Sequence, residues 1–253
     1  MKLNQLSGVG GFSLLVAGST LLFAFAGCGG SSGNAFPTAT PGPTVFATSI
    51  STACDSTTYA PNYYGEPDPE NLTATPVYNV WRQFPLKVYI PADTDADYRT
   101  ATIAGLNQWV TASSNAVKYD LVTNAADANV VISYATATAT LPPFGVTTLT
   151  YDATTHTTTA AQVQLYFYAK SQLSSAALVN QTSAAHEFGH VLGIGPHSSG
   201  GNDLMYFARQ RAVEPVSTRD INTLRTLYCN VFPTGTAAAV KSTGTSKTVV
   251  IKG

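Results

Sequence analysis

Three of the chain's four histidines fall within twelve residues, His186-Glu187-Phe188-Gly189-His190-Val191-Leu192-Gly193-Ile194-Gly195-Pro196-His197. That run restricts the local backbone severely. Residues four apart on an α-helix share a face with their bases about 6 Å apart, so a helix through His186 and His190 aims two imidazoles at one point. Glu187 follows roughly 100° further round the helix, where its carboxylate serves a group held between the rings without binding it. Gly193 supplies the positive φ that often ends a helix. Pro196 fixes its own φ and pushes Gly195 toward extended geometry, so the chain turns back and swings His197 toward the first two rings. Three converging imidazoles with a fourth position left for water are the donor set of a catalytic zinc site. The expected metal ligands are therefore His186, His190 and His197, the expected ion Zn2+, and Glu187 the expected general base toward an activated water.

The surrounding pattern predicts an α/β chain of the α+β type, a sheet with helices packed on it. Leu86 to Ile90 is a β-branched and aromatic run stopped by Pro91, hence a strand. Residues 95 to 115 carry a helical pattern with Ile103, Leu106 and Val110 on one face and Thr102 and Trp109 beside them. Strands follow at Tyr119 to Val122, Asn129 to Tyr134, Phe144 to Tyr151 and Gln162 to Tyr168, the last alternating Val163, Leu165 and Phe167 with more polar residues. The histidine-bearing helix spans about 181 to 193. A last helix starts at Ser217-Thr218-Arg219-Asp220, which has the form of a capping box.

The motif resembles that of the metzincin metallopeptidases, especially the matrixin-like branch, with the third histidine one residue later than the family pattern. Asn202-Asp203-Leu204-Met205-Tyr206 looks like the family's Met-turn, and the resemblance implies that Met205 forms a hydrophobic floor beneath the metal. Outside the motif it extends to Trp81 with Pro85 to Ile90, Ala126 to Val130, and Val216 to Ile221 with Leu227-Tyr228, covering about residues 80 to 230. It implies a twisted mixed sheet with about three helices and a zinc endopeptidase that acts on a protein or peptide substrate. It also implies that the strand before the active helix borders the cleft. That strand is read as Gln162, Val163, Gln164, Leu165, Tyr166, Phe167 and Tyr168, an edge to which substrate adds by main-chain hydrogen bonds. Two rivals share the same residues: a catalytically silent zinc-binding surface module and a zinc hydrolase of a non-peptide amide. Tyr206 is read as a packing residue, and His156, in a Thr-rich stretch, as an exposed loop residue.

Residues 1–28 read as a lipoprotein-type signal peptide, with Lys2 before an apolar stretch from Phe12 to Phe25. Ala24-Phe25-Ala26 fits ordinary cleavage and secretion. Phe25-Ala26-Gly27-Cys28 fits a bacterial lipoprotein box, with Cys28 lipidated. The chain has three cysteines, and parity favours the second reading, because lipid on Cys28 leaves Cys54 and Cys229 to pair as a disulfide. A latency switch through Cys54 is the alternative to that pairing. The expectation is thus an exported bacterial envelope lipoprotein at the outer membrane or cell surface, or a secreted protein if cleaved after Ala26. Residues 29–51 are rich in Gly, Ser, Thr and Pro and read as a tether; 52–232 form the peptidase domain, and 233–253 a mobile tail. A net charge of -1 excludes nucleic acid and anionic membrane as charge-driven partners, so membrane contact is expected through the N-terminal lipid only, and the protein as a monomer.

Overall fold

The computed structural model describes residues 79–137, 144–195, 197, 198, 200–208, 213–231 and 244–252. The leader 1–28 with Cys28, the tether 29–51, Cys54 and the side chain of Cys229 lie outside the described residues, and with them the expected lipidation and disulfide.

The elements in chain order are β1 (Leu86–Tyr89), α1 (Ala96–Ala112), β2 (Tyr119–Val122), a 3-10 turn (Ala125–Asp127), β3 (Val130–Thr136), β4 (Gly145–Asp152), β5 (Thr158–Phe167), α2 (Ala176–Val191), α3 (Thr218–Val231) and β6 (Ser246–Lys252). The strands form one mixed sheet in the order β2-β1-β3-β5-β4-β6. β2, β1, β3 and β5 run parallel, while β4 is antiparallel to both β5 and β6. With three α-helices among the described residues, the fold is α+β.

Local chemistry explains where the helices begin and how they pack. Asp95 caps α1 by accepting the amides of Asp97 and Tyr98 at 2.8 and 3.3 Å, satisfying donors the first turn leaves open. α1 ends where Ser114 and Asn115 take positive φ. Its buried stripe is Ala101, Thr102, Gly105, Leu106 and Trp109, displaced about one residue from the face expected through Ile103 and Val110. These side chains meet α2 and the sheet residues Leu86, Val88, Val130, Ile132, Val163, Leu165 and Phe167 in one core. Burying each large member contributes about 1.5–3 kcal/mol.

α2 is buried on all sides from Thr182 to Val191. Two tryptophans donate to its carbonyls. Trp109 Nε1 donates to the Ala185 carbonyl at 2.7 Å, and Trp81 Nε1 to that of Val191 at 2.7 Å. One lies just before the histidine motif and the other just after His190, so the helix cannot rotate without breaking a buried hydrogen bond.

Two expectations are corrected here. Gln162 to Phe167 is not an edge: β5 is bonded to β3 on one side and to β4 on the other, so its ladder has no side open to a substrate strand. Tyr168 follows it, with its amide donated to Asn180 Oδ1 at 2.8 Å. β4 and β5 form an antiparallel pair that places the earlier strand farther out, with β6 beyond it, so chain order misleads about spatial order. The tail 233–253 is not mobile throughout, because Ser246–Lys252 pairs along the whole of β4. Lys247, Val249 and Ile251 are more buried than Ser246, Thr248, Val250 and Lys252 between them, the alternation of a strand.

Candidate metal centre

The last turns of α2 place His186, Glu187 and His190 side by side, each fully buried. Beyond Val191 the helix closes with Gly193 donating its amide to the His190 carbonyl and Ile194 donating to that of Gly189, at 2.9 and 3.1 Å. Gly193 has φ 105°, and a Cβ there would stand 2.5 Å from the Asn79 carbonyl oxygen. Only glycine meets both demands. The turn returns the chain so that His197 faces the other two rings.

The three rings form a near-equilateral set. Centroids lie 4.9 Å apart for His186 and His190, 5.2 Å for His186 and His197, and 5.0 Å for His190 and His197. One ligand nitrogen from each lies within 4.8 Å of the others. Phe144 stacks on His186 at 4.0 Å and fixes that ring's plane.

Tautomers follow from the hydrogen bonds. His186 Nδ1 lies 2.8 Å from the Leu204 carbonyl and His190 Nδ1 2.6 Å from that of Ile194. A carbonyl only accepts, so each Nδ1 carries the proton and each Nε2 keeps a lone pair. The Nε2 atoms of His190 and His197 are buried with no hydrogen-bond partner, which is costly unless something binds them. Burial, with His197 alongside, lowers His190 to about 3, and burial lowers His197 as well. Both are therefore neutral at neutral pH, the state a metal requires. Imidazole nitrogens suit zinc, copper, iron and nickel. Three nearby histidines that can hold a metal ion are thus present in this chain.

Glu187 stands apart from the three-histidine set. Its Oε2 accepts from Thr147 Oγ1 on β4 at 2.6 Å. A carboxylate held by a short hydroxyl donor stays in one rotamer and retains acceptor capacity.

Ser198 and residues 200–206 pack beside the rings. Met205 is fully buried and lies against Gly189, where a Cβ would come 2.3 Å from its Sδ. A residue without a side chain on the helix thus lets the methionine pack against α2 within the histidine motif. Ser198 donates its amide to the Met205 carbonyl at 2.7 Å. Asp220, at the start of α3, accepts from Leu204, Met205 and Ser217 amides at 2.9, 3.4 and 2.8 Å. Asp203 accepts from Ser198 and Ser217 hydroxyls and pairs with Arg219 at 3.3 Å. Asp220 therefore reaches His186 indirectly: it holds Leu204, whose carbonyl holds the ring.

Other candidates sit elsewhere. His156 is half-buried in the turn between β4 and β5, with Nδ1 3.3 Å from Asn79 Oδ1 and its ring stacked on Tyr151. Tyr206 is half-buried, its ring 4.5 Å from that of Phe207. Thr147, Phe144 and Asp220 escape a reading by local spacing. Only Asp220 left a trace, as the fourth residue of the capping box, and that pattern foretells its bond to Ser217 but not those to Leu204 and Met205. The sequence matches no known family model and no curated protein.

Proposed function

We propose that the chain is a zinc-dependent endopeptidase of the metzincin kind, matrixin-like, anchored at a bacterial envelope by lipid on Cys28. The observation that carries it is the pairing of two kinds of group at one place: three converging imidazoles, and a buried carboxylate beside them held by Thr147. Structural zinc sites have four protein ligands, whereas catalytic sites have three. Three histidines with an adjacent carboxylate outside the donor set follow the second pattern.

When bound, zinc supplies Lewis acidity, lowering the pKa of water to about 7 and polarising a carbonyl. The remaining work belongs to the chain. The Leu204 and Ile194 carbonyls hold the protons on His186 and His190 Nδ1 and so keep Nε2 available. Thr147 orients Glu187, whose carboxylate takes the proton from the attacking water and returns it to the leaving amine. The apolar floor of Met205 and the wall of Phe144 keep bulk water from the rings, which strengthens each electrostatic interaction there.

The test is hydrolysis of casein and a mixed peptide library by the purified chain, alongside metal content. One zinc per chain is expected, with cleavage abolished by a chelator and by Glu187→Ala while Glu187→Ala keeps its zinc. Zinc-loaded protein that cleaves no peptide overturns the reading and leaves a silent metal-binding module or a hydrolase of another amide.

A further inference from the structure

His186 and Glu187 both touch the beginning of β4. Phe144, just before it, stacks on His186. At Gly145 a Cβ would meet the Glu187 carboxyl carbon at 3.0 Å, and Thr147 holds that carboxylate. The inner side of β4 is bonded to β5. Residues 246–252 occupy the outer side, from Asp152 opposite Ser246 to Val146 opposite Lys252.

The occupant is held unevenly. At its start, far from the histidines, Gly244 donates its amide to Asp152 Oδ2 at 3.0 Å, and Ala153 donates to the Thr245 carbonyl at 2.9 Å. Toward the site the attachment is main-chain pairing with one buried side chain, Ile251, opposite Thr147. Val250 remains 57 % exposed. A strand with one buried side chain in seven, the rest exposed or half-buried, can open locally, since local opening follows the scarcity of buried apolar contact.

We propose that the outer edge of β4 is a docking surface for an extended peptide, and that residues 246–252 are its built-in occupant, which competes with peptides from outside. The peptide chemistry is set by what β6 supplies: an antiparallel main chain for the ladder and a branched apolar side chain opposite Thr147, as Ile251 has. The binding claim stands by itself; its consequence for turnover rests on the endopeptidase reading.

The experiment uses the full chain in the Glu187→Ala background, zinc-loaded, with fluorescent Ser-Lys-Thr-Val-Val-Ile-Lys as probe. Ladder amides alternate along a strand, so Thr248→Pro with Val249→Pro removes at least one bond to β4 whichever amide faces it. A chain ended after Thr245 is the second variant. A tail closed nine-tenths of the time weakens apparent affinity about tenfold, so both variants are expected to bind the probe about tenfold more tightly at unchanged zinc content. A probe with Asp in place of its Ile should lose that gain. Folded variants that bind no better than the parent overturn the proposal. Hydrogen exchange in the unaltered chain checks it without any substitution: amides of 248–251 as slow as those of β5 overturn it, because such a strand never yields its place. With Glu187 restored, KM should fall in both variants. Tighter probe binding with no cleavage by any form sinks the endopeptidase reading and leaves the docking edge standing.

Discussion

Thr147 is the residue on which the carboxylate depends most directly. Its hydroxyl reaches Glu187 Oε2 at 2.6 Å inside a fully buried site. Thr147→Val preserves shape and removes the donor, leaving a buried carboxylate one partner short, at a cost of about 1–3 kcal/mol. The expected outcome is that loss in urea unfolding and a fall in kcat of about tenfold or more, with zinc content unchanged. Thr147→Ser should restore most of both. A kcat untouched by Thr147→Val would show that Glu187 is positioned by something else. Glu214 offers a pH-dependent counterpart. Burial, with Asp220 nearby, pushes its carboxyl up to about 7 from the ordinary 4.5. Between those values the folded chain keeps a proton that the unfolded chain has lost, so this group's contribution to stability falls as pH rises from about 4.5 to about 7. Glu214→Gln should flatten that part of a Tm-against-pH curve, and an identical slope in both proteins would refute the assignment.

At the scale of elements, the helix through His186 and His190 and the strands β1 to β5 were legible because their information is local. Histidine spacing, Pro91, and the alternation of Val163, Leu165 and Phe167 each act within a few residues. What was illegible was lateral. The neighbour of β5 depends on which strand folds outside which, and β6 lies nearly a hundred residues along from the strand it covers, Asp152 meeting Ser246. No local period encodes such a pairing. The α1 face shifted for a related reason: Trp109 turns inward to reach the Ala185 carbonyl, a partner 76 residues away that outweighs the local apolar count. The same logic places Asp220 between two elements. Its bonds to Leu204 and Met205 tie α3 to the loop beside the rings. Asp220→Ala should therefore weaken zinc affinity about 10–100-fold through misplacement of His186, read by competition with a chelating dye. Substituting Ser217→Ala removes the cap and the hydroxyl donated to Asp203 but leaves the bonds from Leu204 and Met205 to Asp220, and should cost about 1–2 kcal/mol with little change in affinity.

For the whole molecule, the metal centre is where separate parts of the chain are joined. α2 contributes two rings, the turn after Gly193 the third, β4 the hold on Glu187, and α3 reaches in through Asp220. The buried Nε2 atoms of His190 and His197 are a standing cost to the folded state, and the unfolded chain offers no preformed site to recover it. An ion that binds only the folded arrangement must then stabilise the entire domain rather than one loop. At a hundred times its dissociation constant the gain is about 2.7 kcal/mol, which for a domain of this size raises Tm by about 5–10 °C. Calorimetry of the apo and zinc-loaded chain should show a single transition that moves as a unit. In His190→Ala the rise should shrink to a small fraction. Zinc that leaves Tm unchanged in the unaltered chain, or splits the transition in two, would mean that these rings do not unite the fold around one ion.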